Sequence, residues 1–206
     1  MFDPVIRITG PAAPLPAANL DTDVIIRIER LTAGDDAGLG RWAFESIRYR
    51  ADGSDDPAFP LNDPRWRAAR ILLAGPNFGC GSSREPAVNA ILLAGIRCVI
   101  APGFGDIFHA NCFQNGLLPI RMPPDDVARL MGEAETGADF TVDLESCSIL
   151  SPSGVCRGFD IDPARREALM AGLDDMGLTL RHADDIAAWQ RADSQRRPWV
   201  WAHAHG

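Results

Sequence analysis

The residues with the clearest chemical potential lie in a glycine-rich loop at positions 79–84, with the sequence GCGSSR. Ser83 as an N-cap, a proline at 86 in the first turn, and a closing glycine at 95 predict a helix directly after this loop. Such a loop directs several backbone N–H groups towards one point, where the helix dipole adds partial positive charge. With Arg84 beside Ser82, the segment could bind a carboxylate or stabilise a serine alkoxide.

Three reactions could use this loop, and the sequence favours one of them. A phosphate-binding P-loop requires a lysine before the serine, but the chain contains no lysine. The nucleophile motif G-x-S-x-G of serine hydrolases is absent at residues 79–83. Proton abstraction by a serine alkoxide remains, because the loop supplies the donors that such a charge needs. The structural alternative is a tight strand-to-helix turn, in which the glycines permit close packing and the serines only cap the helix.

A second polar segment, NLDTD at residues 19–23, precedes the β-branched run VIIRI at 24–28. We predict a strand over 24–28, with Asp21 and Asp23 at its entrance. Aspartates at such a position either border a site or cap a turn.

These segments must be positioned by an alternation of strands and helices, which favours an α/β fold with parallel strand pairs. The predicted strands are 5–9, 71–74, 97–101, 117–120, 140–144 and 148–150, the last two as a hairpin. The predicted helices are 65–70, the segment ending at 93, 106–115, 124–133, 162–173 and 184–190. Irregular structure is expected at 10–16, and surface loops at 32–40 and 51–64, because these segments are rich in proline, glycine or aspartate.

Composition excludes several classes of function. The 206 residues carry 28 acidic and 20 basic side chains, a net charge of −8, which disfavours nucleic acid and anionic membranes as partners. No leader segment or apolar stretch of membrane-spanning length is visible, so we expect a cytoplasmic protein. The five cysteines are odd in number and lack the spacing of a metal centre, so we expect free thiols and no metal bound by this chain.

Several motifs together resemble the small subunits of 3-isopropylmalate dehydratase, within the aconitase superfamily. The motifs are NLDTDVII at 19–26, NFGCGSSRE at 77–85, DIF at 106–108, NGLLPI at 115–120 and RPW at 197–199. The resemblance implies a swivelling β/β/α three-layer α/β domain spanning residues 1–206, with a C-terminal helical extension from about 160. It also implies a heterodimeric hydro-lyase of leucine biosynthesis, which interconverts 2- and 3-isopropylmalate through isopropylmaleate and has a 4Fe-4S cluster on its large subunit.

The resemblance also assigns roles to individual residues. Ser82 matches the catalytic base, and Ser83 and Arg84 match contacts to the carboxylate of a small 2-hydroxy dicarboxylate. Bordering residues are Asp23, Asn77 and Cys80, the last interpreted as a small filler and not as a nucleophile.

The chain departs from the family pattern at three places, one of which is Arg27, where relatives usually have a proline. Pro86 replaces the usual histidine after Ser-Arg-Glu, and Asp35 and Asp36 stand where relatives usually carry an arginine. Arg27 or Arg30 could take that arginine's place. Two alternatives therefore stay open: a related hydro-lyase for a methylmalate- or homoaconitate-like diacid, and a noncatalytic paralogue that acts as an interaction module.

Overall fold

The computed structural model describes residues 1–32, 38–81 and 85–201, which form a mixed seven-stranded sheet with helices on both faces. The spatial strand order is β4-β3-β2-β1-β5-β6-β7. In chain order the strands are β1 Arg7–Leu15, β2 Ile71–Ala74, β3 Cys98–Ala101, β4 Leu118–Arg121, β5 Asp139–Asp143, β6 Ser148–Leu150 and β7 Cys156–Gly158. Strands β1 to β4 pair in parallel, whereas β5, β6 and β7 extend the sheet in antiparallel fashion from β1. The predicted α/β class is confirmed.

The helices of the described residues vary widely in length. They are α1 Thr22–Ile25, α2 Ile28–Leu31, α3 Leu39–Trp42, α4 Glu45–Arg48, α5 Glu85–Leu93, α6 Asp106–Asn115, α7 Pro124–Ala134, α8 Pro163–Ala171, α9 Asp175–Leu180, α10 Ala183–Arg196 and α11 Pro198–Trp201, with a 3-10 turn at Pro60–Asn62. No helix within these ranges is both long and apolar enough to cross a membrane.

Helices cover both faces of the parallel part of the sheet, which explains why its strands are apolar throughout. All four residues of β2 are buried, and they alternate between two separate cores. Leu72 and Ala74 pack with residues of α5 and α6, whereas Ile71 and Leu73 pack with residues of α7. Such two-sided burial requires an unbroken apolar strand.

Strand β1 extends further than the sequence predicted. Irregular structure was expected at 10–16, but β1 continues to Leu15. Its first part pairs with β5 and ends at Pro11, while Ala12 to Leu15 pair only with β2. Pro14 therefore lies beyond the antiparallel ladder, where its missing N–H leaves no strand neighbour unpaired on that side.

The strand predicted at 24–28 was also wrong, since this segment forms α1 and the start of α2. The Asp21 carboxylate accepts a hydrogen bond from the Val24 N–H at 2.9 Å and caps α1. Ile25 and Ile26 are fully buried in the core. Capping and burial together outweigh the β-propensity of the run.

Residues 65–70 form turns and not the predicted helix. The Asp63 carboxylate accepts from the Arg65 N–H at 2.8 Å, and the Trp66 N–H bonds the Asp63 carbonyl at 3.0 Å. Trp66 is buried, and its Nε1 donates to the Ala134 carbonyl at 2.9 Å. Tight local bonding and an anchored indole thus replace helical hydrogen bonds.

Other predicted boundaries are confirmed. Helix α6 ends at Asn115 before Gly116, whose φ of 78° closes the helix in the left-handed conformation. Helix α8 begins at Pro163 after the cap Asp162, as expected. Helix α10 is longer than predicted, and β7, α9 and α11 were not anticipated.

Candidate active-site loops

Two loops meet at the carboxyl ends of the adjacent parallel strands β1 and β2. The N–H of Asn19 donates to the carbonyl of Pro76 at 2.9 Å, and the N–H of Gly79 donates to that of Leu20 at 2.7 Å. A third bond joins the Thr22 N–H to the Cys80 carbonyl at 3.0 Å. These three backbone bonds bring the two polar segments of the sequence together. The carboxyl ends of parallel strands are a common place for ligand sites.

The loop after β3 joins the same assembly. The N–H of Phe78 donates to the Gly103 carbonyl at 3.0 Å, and the N–H of Gly105 donates to the Phe78 carbonyl at 2.9 Å. Phe78 is fully buried and contacts the ring of Phe108 with centroids 5.4 Å apart. The site loops therefore rest on a rigid aromatic core. Neither Gly103 nor Gly105 was predicted from the sequence to belong to this assembly.

Close packing explains two of the glycines. Gly79 has a φ of 69°, and a Cβ there would lie 2.3 Å from the Cγ of Phe108. A Cβ on Gly105 would lie 2.4 Å from the carbonyl oxygen of Gly79. Both distances are far below a normal contact, so these loops can approach each other only with glycine at these positions. The sequence left open that the loop glycines serve to permit close packing, and Gly79 has this role.

The two aspartates differ in their surroundings. Asp21 is half-buried and caps α1 through Val24, so its role in this chain is structural. Asp23 lies in the first turn of α1 and is exposed. Because α1 directly follows the three backbone bonds between the loops, Asp23 lies one residue after the Thr22–Cys80 bond.

Asn77 and Cys80 lie on the second loop. Asn77 is exposed, has a φ of 58°, and donates from Nδ2 to Oδ1 of Asn19 at 2.8 Å. Cys80 is a half-buried free cysteine whose main chain bridges to Asp21. Asn19, also left-handed at a φ of 54°, was not predicted as a site residue. Its place four residues before Asp23, in a segment with the turn-forming residues Asn and Asp, was the available signal.

Several predicted residues lie outside the described ranges. They are Ser82, Ser83 and Arg84 in the site loop, and Asp35 and Asp36 in the departure from the family pattern. On either side of the first group, Gly81 and α5 are described. Helix α5 contains Pro86 in its first turn, as predicted.

His109 lies on α6, close to the loop after β3. Its ring packs between Phe104 and Phe113, with ring centroids 5.4 and 5.2 Å away. Burial, followed by the positive charges of Arg121 and Arg165, lowers the pKa of His109 to about 4. The imidazole is therefore neutral at neutral pH. Its aromatic contacts give His109 a packing role.

The two arginines near the departure from the family pattern are engaged differently. Arg30 makes two hydrogen bonds to the carboxylate of Glu45, and its guanidinium lies 3.6 Å from the ring centroid of Trp42. Hydrogen bonding to Arg30 holds the pKa of Glu45 below its usual range. The Arg27 side chain is half-exposed and, among the described residues, bonds only Glu29, at 3.3 Å. Of the two, Arg27 is better placed to bind a ligand.

The cysteines of the chain are dispersed. Cys98 and Cys112 are buried, Cys80 and Cys147 are half-buried, and Cys156 is exposed. Burial raises the pKa of the Cys98 thiol well above its usual range. Within the described ranges, no group of three or more potential ligand side chains is arranged to hold a metal ion.

Comparison with known proteins gives one consistent family. The model of the aconitase C-terminal domain matches residues 3–125, and a model of the C-terminal domain of 3-isopropylmalate dehydratase small subunits matches residues 175–200. A third family model, named LeuD_N, matches residues 128–163.

Individual relatives cover nearly the whole chain. A 3-isopropylmalate dehydratase small subunit from Mesorhizobium japonicum is 48% identical over 94% of this chain and 98% of its own length. One from Brucella canis is 47% identical over 97% of this chain and 100% of its own length. The crystal structure of 3-isopropylmalate dehydratase (LeuD) from Methanocaldococcus jannaschii is 30% identical, with a TM-score of 0.68 and coverage of 89% of this chain and 99% of that one.

These matches confirm the predicted fold class, the swivelling three-layer domain of the aconitase type. The resemblance seen in the sequence motifs therefore extends to the whole chain and to its fold. The chain belongs to the family of 3-isopropylmalate dehydratase small subunits, which are hydro-lyase subunits of the aconitase superfamily.

Proposed function

We propose that this chain is the small subunit of a cytoplasmic two-chain hydro-lyase that interconverts 2-isopropylmalate and 3-isopropylmalate through isopropylmaleate in leucine biosynthesis. The observation that carries the proposal is the seam of three backbone hydrogen bonds between residues 19–22 and 76–80. This seam places the Asp23 turn beside the loop that leads into Ser82. Family membership supplies the reaction, and the seam supports a site where the two loops meet.

In this proposal Ser82 is the base that removes the proton next to a substrate carboxylate. An unperturbed hydroxyl is far too weak a base for this step, so its alkoxide must be stabilised by donors that surround it. In the proposal, these donors are backbone N–H groups of the glycine-rich loop, and the N-terminal end of α5 adds a favourable dipole. Ser83 and Arg84 hold the carboxylate, and Arg84 can do so through two parallel hydrogen bonds.

The 4Fe-4S cluster belongs to the large subunit in this proposal. The described cysteines do not form a ligand group, and two of them are buried in the two cores of the domain. This chain therefore does not fit a cluster of its own. When bound on the partner, the cluster supplies a Lewis acid for the leaving hydroxyl. The small subunit supplies the proton acceptor and the carboxylate contacts.

We place all 206 residues in one swivelling domain, with the helices after about residue 160 as a C-terminal extension. The partners in this proposal are the large subunit and a small 2-hydroxy dicarboxylate, with neither nucleic acid nor a membrane. The net charge of −8 supports the exclusion of nucleic acid and of anionic membranes.

A second candidate is a hydro-lyase of the same type that acts on a different diacid. The observation that favours it is the half-exposed position of Arg27, which among the described residues bonds only the neighbouring Glu29. An arginine there attracts a second polar or acidic group on the substrate, whereas isopropylmalate presents an apolar one. A substrate panel with the reconstituted complex separates the two candidates by the ratio of their kcat/KM values.

The test of the base is Ser82→Ala in the complex reconstituted with its large subunit under anaerobic conditions. We expect kcat for isopropylmaleate formation to fall by about 10² to 10⁴, because that is the usual contribution of a positioned proton acceptor. Ser153→Ala, which removes an exposed serine on the turn between β6 and β7, is the control and should retain kcat. A Ser82→Ala complex that keeps more than about a tenth of the wild-type kcat would remove Ser82 from this role.

The test of the carboxylate contact is Arg84→Lys. One ammonium group cannot make the two parallel bonds of a guanidinium, so we expect KM to rise by about tenfold or more. Equal elution volumes of the two complexes in size-exclusion chromatography establish that the subunits still assemble. An unchanged KM means that Arg84 does not contact the substrate. If no diacid in the panel is turned over by the wild-type complex, the noncatalytic alternative is favoured.

A further inference from the structure

Two asparagines in left-handed backbone conformation face each other across the seam of the site loops. Asn19 has a φ of 54° and Asn77 a φ of 58°. Only four residues other than glycine have a positive φ within the described ranges, so half of them meet at this one contact. The left-handed region is unfavourable for most residues, and asparagine tolerates it best.

The side chains of this pair are joined directly. Nδ2 of Asn77 donates to Oδ1 of Asn19 at 2.8 Å across 58 positions of sequence. Both residues are exposed. One exposed hydrogen bond contributes little to stability, while two left-handed residues oppose it. Stabilisation of the fold is therefore a poor explanation for the pair.

The position of the pair suggests a geometric role. Next along the two segments come the backbone bonds from Gly79 to Leu20 and from Thr22 to Cys80. Beyond those bonds, one segment continues to Asp23 and the other to Ser82. If the two segments shift relative to each other at Asn19 and Asn77, the positions of Asp23 and Ser82 relative to each other change as well. Small displacements of this kind lower kcat, because reacting groups must be held in a precise geometry.

We infer that Asn19 and Asn77 are positioning residues that set the register between the two site loops, an inference that rests on the proposed function. They act through the loop backbones and do not contact the substrate. The left-handed conformation turns each chain towards the other, and the amide-to-amide bond fixes the separation of the two loops.

A double-mutant cycle tests this inference in the complex with the large subunit. Glycine accepts the left-handed backbone and removes only the amide, so Asn19→Gly and Asn77→Gly each break the same bond. We expect each to lower kcat by about tenfold with less than roughly a threefold change in KM. The double variant should be no worse than either single variant, because one bond is lost in all three. Effects on kcat that multiply in the double variant would overturn the inference.

Asn77→Asp supplies a rescue arm. The Asn19 amide can rotate so that its Nδ2 donates to the new carboxylate, so this variant should lose less kcat than Asn77→Gly. Cys147→Gly is the matched control, since Cys147 is left-handed with a φ of 49° in the turn between β5 and β6. It should leave kcat unchanged. A Cys147→Gly loss equal to that of Asn77→Gly would contradict a specific role for the pair.

A readout that does not depend on turnover separates this inference from the proposed function. In the small subunit alone, both asparagine-to-glycine variants should weaken the hydrogen-exchange protection of the Gly79 and Thr22 N–H groups. Unchanged protection overturns the positioning role even if Ser82 is the base. Conversely, weakened protection together with a wild-type complex that turns over no diacid overturns the proposed function and leaves the register role of the pair intact.

Discussion

Gly79 provides the most direct test of how the site loops are packed. A Cβ at this position would lie 2.3 Å from Cγ and 2.6 Å from Cδ1 of Phe108, well inside the usual carbon contact of about 3.5 Å. Phe108 is 2% exposed and packs against Phe78, so its ring cannot move freely. Such overpacking costs about 1–3 kcal/mol, and a left-handed alanine adds about 1–2 kcal/mol. We therefore expect Gly79→Ala to lower the free energy of unfolding by about 3 kcal/mol or more.

The matched control is Gly53→Ala. Gly53 has a φ of 81°, but a Cβ there meets nothing within 4 Å, so only the backbone cost of about 1–2 kcal/mol applies. Urea unfolding of the isolated chain measures both free energies, and thermal scans should show a Tm loss of roughly 9 °C for Gly79→Ala against roughly 3–6 °C for the control. If the two variants unfold within about 0.5 kcal/mol of each other, Phe108 has adapted and the packing argument fails.

Two further predictions concern stability. The backbone N–H of residue 146, followed by Arg7, lowers the pKa of Asp143 to about 2, below its unfolded value of 3.8. The free energy of unfolding in urea should therefore decrease by at most about 2 kcal/mol as the pH falls from about 4 to 2. Asp143→Asn should make this decrease smaller. Trp66→Phe removes the buried hydrogen bond to the Ala134 carbonyl and should lower the free energy of unfolding by about 1–2 kcal/mol. Trp189 is exposed, so Trp189→Phe should change that free energy very little in the same urea experiment. Equal losses of stability in the two variants would refute the strength assigned to the Trp66 bond.

Local signals in the sequence were sufficient for several elements. The end of α6 at Gly116 and the start of α8 at Asp162 and Pro163 follow from backbone preferences that operate within a few residues. The apolar strands β2 and β3 were equally readable, since a strand buried on both faces has no polar positions.

Other segments were decided by distant contacts. The β-branched run at 24–28 favours a strand locally, yet Ile25 ends α1 and Ile26 directly follows it, because the core buries both side chains there. Pro14 would end most strands, but it is accepted in β1 because only one neighbouring strand pairs with it. Neither context can be inferred from the segment itself, since the residues that create it lie far away in the chain.

For the site, the sequence by itself determined the chemical groups: the serines and arginine of residues 82–84, the aspartate at 23, and the family to which their spacing belongs. Only the tertiary structure decided that Asn19 lies against Asn77, that Asp21 caps α1, and that Gly79 must be glycine. The physical reason is that residue type fixes what a group can do, whereas the parallel pairing of β1 with β2 brings together loops that are far apart in the chain.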